Sequence, residues 1–321
     1  MKPIKGVQLI FSMIVLFSGH VVFGQQEPQF THYMFNTTSV NPGAAGSLPD
    51  FTATALVRQQ WIDLKDENGN RVAPETYLIS VESPVKLLKG GIGLTIMQDK
   101  IGFEKNFSLR LSYGYQISLG EGQLGIGVQG ILMNKTIDLS MLYGVDPTDP
   151  RLADKNTESS FFTDIGVGLY YRVPNKWYAG FSSINVLENT KSLGNGAQPV
   201  EYKLKRNYFA TAGYELAVTT EKNLIIIPSF LVKTDVAGMQ CDLTGGFRYN
   251  NKFFGGITYR LKGEPAAMFG VILNNFQVGY GYDVPTDKLG NLGSHEIMIR
   301  YNLRMPEKKK PRMSYRNTRF L

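Results

Sequence analysis

"FSLRLSYGYQIS" (107–118) alternates without a break. Phe107, Leu109, Leu111, Tyr113, Tyr115 and Ile117 are apolar or aromatic, and Ser108, Arg110, Ser112, Gly114, Gln116 and Ser118 are polar or small. Side chains of a strand point to opposite faces in turn, so this period of 2 specifies a β-strand with one oily and one polar face. "QCDLTGGFRYN" (240–250) does the same, with Cys241, Leu243, Phe247 and Tyr249 set against Gln240, Asp242, Thr244, Arg248 and Asn250. In "SHEIMIRYNL" (294–303), Ile297, Ile299, Tyr301 and Leu303 stand opposite Glu296, Met298, Arg300 and Asn302.

A soluble sandwich also alternates, but two features favour a membrane. The strands run to about 10 residues or more, the length a tilted strand needs to cross a hydrocarbon layer. Their polar faces carry charges in mid-strand: Arg110, Asp164, Arg172, Glu215, Asp242, Arg248, Arg260 and Arg300. Ionised groups are costly in an apolar core, and with the apolar faces turned to lipid they become the lining of a polar lumen. The expected fold class is all-β, a transmembrane antiparallel β-barrel.

Fourteen strands are expected, beginning near Phe51, Pro74, Lys89, Asn106, Gly122, Phe161, Lys176, Arg206, Asn223, Gln240, Lys252, Pro265, Phe276 and Ser294. Every second connection is tight: 85–88, "GEG" at 120–122, "PN" at 174–175, "TTEK" at 219–222, and "NN" at Asn250 and at Asn274. Most others are long, at 62–73, 136–160, 187–205 and 285–293, with short exceptions at 235–239 and near Gly263. Short turns inside and long loops outside are the pattern of an outer-membrane barrel. The even strand count places both termini in the periplasm, and closure removes the exposed edges. Pro228 takes a ladder hydrogen bond from the ninth strand, a place for a bulge.

The opening "MKPIKGVQLIFSMIVLFSGHVVFGQQ" (1–26) sets Lys2 and Lys5 before an apolar run from Val7 to Phe17, with small Gly24 before Gln25. That is the layout of a secretory signal peptide cut after Gly24. The run is short of the roughly 20 residues of a spanning helix, and no cysteine near the cut offers a lipid anchor. The divisions read are 1–24 as signal peptide, 25–50 as a periplasmic or lumenal segment, 51–303 as the barrel and 304–321 as a basic periplasmic tail.

The 321 residues carry 34 Lys+Arg against 27 Asp+Glu. Without Lys2 and Lys5 the net charge is +5, and the tail from Arg304 holds +6 of charge by itself. The basic balance therefore describes a tail and not a nucleic-acid groove. The tail reads as a solvated end or as a docking strip for an acidic partner or anionic head groups. Cys241 stands alone, so no internal disulfide forms and stability rests on burial and backbone pairing.

The motifs that suggest chemistry give way to plainer readings. "GIGVQG" (125–130) matches a dinucleotide pattern, but its glycines sit inside a strand and no helix follows, so no cofactor is expected. Similar pairs at Gly91 and Gly93, Gly166 and Gly168, and Gly279 and Gly281 read as bare patches where small residues allow a bend or close approach. "DLKDENGNR" (63–71) lacks the later bidentate acid of a calcium loop, and its Asn68-Gly69 is the tip of a hairpin. His295 and Glu296 are neighbours on a strand, so His295 points outward and Glu296 inward, and the two share no metal. A barrel hydrolase needs a histidine beside its nucleophile. With only His32 and His295 surviving cleavage and no partner constellation for either, no enzyme is expected.

One resemblance covers nearly the whole mature chain. Gln29, Tyr33, Met34, Asn36, Asn41, Pro42 and Gly46 in "QQEPQFTHYMFNTTSVNPGAAGS" (25–47) carry it, with Arg58 and Trp61 in "RQQW". So do Tyr282, Asp283, Gly293, Ser294, His295, Glu296 and Tyr301 near the end, Asp99 with Gly102, and Gly180 with Ser182. In these residues the chain resembles the PorP/SprF family of Bacteroidetes outer-membrane proteins. Gly43 stands where the family often has alanine, and the basic tail is longer than expected.

The resemblance implies a non-enzymatic barrel of the type IX secretion system that helps secrete or attach large surface proteins, including gliding adhesins. Implied partners are outer-membrane lipid, the secreted surface protein and periplasmic secretion or motor components, with no nucleic acid. In this reading the loops hold a secreted partner, and the amino-terminal strip and basic tail face the periplasmic machinery. The alternative is a porin or transporter for small solutes, and what fills the lumen discriminates the two.

Overall fold

The computed structural model describes residues 27–66, 69, 71–139, 157–193, 200–218, 221, 223–235, 237–261, 263–286 and 292–305. The leader, the tail beyond 305, Asn68 of the hairpin tip and the middles of three long loops lie outside the described residues.

Fourteen strands close a ring. They are β1 (Phe51–Gln59), β2 (Glu75–Val85), β3 (Gly90–Ile101), β4 (Glu104–Leu119), β5 (Gly122–Asp138), β6 (Thr157–Val173) and β7 (Trp177–Ile184), then β10 (Asn207–Tyr214), β12 (Leu224–Thr234), β13 (Met239–Tyr249), β14 (Phe253–Arg260), β15 (Ala266–Leu273), β16 (Phe276–Asp283) and β17 (Ser294–Leu303). Consecutive strands pair antiparallel, β1 pairs with β17, and β10 pairs with β12. Two short strands, β8 (Thr190–Leu193) and β9 (Val200–Lys203), form a separate hairpin inside the loop after β7. β11 (Leu216–Ala217) prolongs β10 past Glu215.

The alternation read from the sequence is inside out relative to a soluble protein. On β4, Phe107, Leu111 and Tyr115 are exposed, whereas Ser108, Arg110 and Ser112 are 3 % exposed or less. On β17, Ile297 and Ile299 are exposed while Glu296 is fully buried. A polar face survives such burial only if its groups are hydrogen-bonded, so the interior must supply partners. Tight turns fit their residues: Asn250 and Asn251 both take positive φ, as a two-residue hairpin with right-handed strand twist requires.

Two sequence expectations are corrected. Pro228 causes no bulge, because Gly213↔Ser229 and Leu216↔Ile226 keep one register on either side of it. Its missing N–H interrupts the ladder only toward β10, whose strand breaks at Glu215. The lumen is not uniformly polar: Leu56, Leu78, Met97, Phe254 and Met298 form an inner cluster that receives Phe30 and Phe35. A second, of Ile131, Ile184 and Phe209, receives Val40.

The chain before β1, expected in the periplasm or in the lumen, bonds the inner wall. An even strand count does put Phe51 and Leu303 side by side at the short-turn mouth. The segment from Glu27 to Asp50 is not outside the barrel at that mouth, however. It is a strap inside the bore, with three 3-10 turns at Tyr33–Phe35, Thr37–Ser39 and Pro42–Ala44. Glu27 lies toward the opposite, long-loop mouth, where Lys233 Nζ near the end of β12 donates to its carbonyl at 3.0 Å.

Candidate functional site

Near the long-loop mouth four charged residues of the wall interlock with one threonine of the strap. Arg58 ends the inward face of β1, Asp283 ends β16, Glu296 is the third residue of β17, and Arg260 ends β14. Closure of the ring between β1 and β17 brings Arg58 to the other three although it lies more than 200 residues from them in sequence. Glu296 accepts the backbone N–H of Thr31 and of His32, each at 2.8 Å, and His32 Nδ1 donates to it at 2.7 Å. Arg58 donates to Asp283 at 2.5 Å and to Glu296 at 3.4 Å. Arg260 donates to Asp283 and to Thr31 Oγ1, the latter at 3.0 Å, and Thr31 Oγ1 donates to Asp283 at 2.8 Å. Gln29 Nε2 donates to both oxygens of Asp242, at 3.2 and 3.0 Å.

Two guanidinium groups thus face two carboxylates, all 3 % exposed or less. Removing one partner of such a buried pair leaves an uncompensated charge, which typically costs about 3–5 kcal/mol. The network is accordingly a latch: it holds Thr31 and His32 of the strap against four strands of wall, β1, β14, β16 and β17.

Lower in the bore the strap is held by backbone approach. A Cβ on Gly125 would lie 1.9 Å from the carbonyl oxygen of Gly43, and one on Gly127 would lie 2.2 Å from Gly43 N. Real Cβ atoms do not come that near, so only glycine admits the strap here. Gly91, Gly93, Gly168, Gly279 and Gly281 likewise face strap atoms, whereas Gly166 faces Ile184 and Gln129. The paired glycines of the sequence are therefore mostly landing places for the strap.

At the rim, Trp61 follows β1 with φ 46, a left-handed conformation that is rare for an aromatic residue. Its N–H donates to Ser294 Oγ at 3.3 Å and its indole N–H to Glu264 at 2.9 Å. Burial pushes the Glu264 carboxyl above the usual range, and the Trp61 bond partly offsets this.

Most of the residues singled out from the sequence lie on the strap, the inner wall or the rim, Gly46 on Gly91 and Ser182, which donates to the carbonyl of Val40, among them. Gln29, Arg58, Asp283 and Glu296 join the latch. Tyr33 OH bonds Ser229 at 3.0 Å and Thr244 at 3.2 Å, and Asn36 accepts from Ser80 at 2.7 Å. Asn41 donates to the carbonyl of Leu169 at 3.0 Å and caps Gly43, while Pro42 lies over Gly127. Trp61 and Ser294 meet Glu264. His295 points outward to Tyr280 OH at 2.6 Å, away from Ser294 and Glu296.

Thr31, His32 and Arg260 were not picked out as site residues. The charge of Arg260 in an otherwise alternating strand was the available signal. Thr31 and His32 gave none, because the strap has no period. Among the described residues no group of three or more His, Cys, Asp or Glu is arranged to hold a metal ion.

Among solved structures, the chain is similar to a deltaS2 mutant of the TodX monoaromatic hydrocarbon channel, at 11% identity and TM-score 0.46 over 83% of this chain and 93% of that one. It is similar to a FadL homologue of Pseudomonas aeruginosa, at 9% identity and TM-score 0.44 over 88% and 95%. A third likeness is the translocator domain of autotransporter NalP from Neisseria meningitidis, at 12% and 0.42 over 85% and 94%. No curated protein matches the sequence. The family model described as type IX secretion system membrane protein PorP/SprF matches residues 22–301, spanning the strap and all fourteen strands of the ring. The chain is an outer-membrane β-barrel, and it belongs to the PorP/SprF family of type IX secretion system membrane proteins.

Proposed function

We propose that this barrel is a non-enzymatic, non-conducting component that helps type IX secretion deliver or retain large secreted proteins at the cell surface, gliding adhesins among them. The long loops, including the β8–β9 hairpin, would meet the secreted partner, and the short-turn mouth with the basic tail would meet periplasmic components of the same system. The observation that supports this over a solute channel is the filled bore. Two cavities beside the middle of the strap measure about 40 and 80 Å³, room for a few water molecules, and the wider space of about 860 Å³ beside Gly46, Ser47 and Asp50 lies at the short-turn mouth.

Deleting the gene tests the role. Surface display of the secreted partner, read by antibody on intact cells, should fall, and display at the wild-type level would refute the proposal. The purified barrel in a planar bilayer tests the channel reading: steady large conductance would favour a porin, and a silent bilayer is the expected result.

A further inference from the structure

We infer that the mature amino terminus emerges at the long-loop, cell-surface mouth, so the two ends of the mature chain lie on opposite sides of the outer membrane. The inference goes beyond the proposed secretion role and does not depend on it.

The course of the strap carries it. Glu27 meets Lys233, and Gln29 meets Asp242, near the long-loop ends of β12 and β13. Thr31 meets Asp283 and Arg260, which end β16 and β14 at that same mouth. Farther along, Asn36 meets Ser80, and Thr38 meets Glu82, three residues from the short-turn end of β2. Gly46 packs on Gly91 at the start of β3, and Arg172 donates to the carbonyl of Ser47 at 3.4 Å. Arg110, midway along β4, donates to the Glu27 carboxylate at 2.7 Å and to the carbonyl of Ser39 at 3.2 Å, so the strap is compact between these residues, and its net course is a descent that enters β1 from the short-turn side.

Chain length closes the alternative. With cleavage after Gly24, two residues precede Glu27, a reach of about 7 Å when fully extended. The 11 residues of β12 rise about 37 Å at 3.4 Å each. An end that starts beside the last residues of β12 cannot return to the short-turn mouth. Long loops mark the outer side of such barrels, so the free end is outside, below the β8–β9 hairpin whose Tyr202 ring lies 4.4 Å from Lys135 Nζ. Leu303 pairs with Phe51 at the other mouth, and the carboxyl-terminal tail leaves from there.

The test is a pair of epitope tags on the full-length protein, one inserted between Gly24 and Gln25 and one after Leu321. On intact cells antibody should reach the first tag, and it should reach the second only after the outer membrane is permeabilised. An amino-terminal tag reached only after permeabilisation, on a barrel that still shows a heat-dependent gel shift, would overturn the inference. If the insertion prevents folding, cysteine pairs decide instead. In a Cys241→Ala background, Gln29→Cys with Asp242→Cys and, separately, Thr38→Cys with Glu82→Cys should each form a disulfide. Folded barrels in which neither pair cross-links would refute the course of the strap.

Discussion

Glu296→Gln should loosen the strap while leaving the ring closed. Glu296 accepts two backbone N–H groups, one imidazole N–H and one guanidinium N–H. An amide keeps one acceptor oxygen, but its NH2 turns toward groups that are themselves donors. Charge-assisted hydrogen bonds contribute about 1.5–3 kcal/mol each, yet a plain sum overshoots, because Arg58 retains Asp283. The measured range for breaking a buried pair, about 3–5 kcal/mol, is the better guide. At about 1.4 kcal/mol per factor of ten, the strap-released state should become roughly 100- to 4,000-fold more populated. Amide hydrogen exchange reads this directly, since the Thr31 and His32 amides donate to Glu296. Their protection, followed by mass spectrometry in detergent, should fall by about that factor while β-strand amides stay protected. Protection within about threefold of wild type in a folded barrel would refute the latch, and would mean that the glycine seat alone holds the strap.

Gly127→Val would drive a side chain into Gly43 and Pro42. Overpacking of this kind costs about 1–3 kcal/mol or more, so chymotrypsin should cut the strap at Phe30, Tyr33 or Phe35 faster than in wild type. His295→Ala, which removes an outward side chain that among the described residues bonds Tyr280 and Leu292 and packs on the Tyr282 ring, should shift thermal unfolding by less than about 1 kcal/mol. Glu264 has a folded-state pKa raised by burial. Its stabilisation is therefore present below its unfolded value near 4.5 and is lost as pH rises through the raised value. Glu264→Gln should flatten the difference in melting temperature between pH 4 and pH 7, and an unchanged difference would show that its environment is wetter than the geometry implies.

Period and turn chemistry made the ring legible from sequence alone. Strands begin where expected at Phe51, Gly122, Phe276 and Ser294, and the sixth begins four residues early, at Thr157 in place of Phe161. Such boundaries are local: alternation and tight Asn turns are visible within ten residues. The β8–β9 hairpin escaped because its strands are four residues each, too short for a period to show. The outward turn of His295 and the inward turn of Glu296 were likewise legible, since adjacent strand residues must face opposite sides.

What Glu296 faces was not legible. Its partners Thr31 and His32 lie more than 260 residues away, in a stretch of 3-10 turns with no hydrophobic period. The mid-strand charges and paired glycines announced that the inner wall was unusual, and close backbone approach was one reading of the glycines. Sequence by itself determined a closed cylinder with an oily outside, because strand period and loop length are properties of the chain read locally. Only tertiary structure decided that the cylinder is filled by its own amino-terminal strap, because that choice depends on which buried polar groups find partners once the ring has closed.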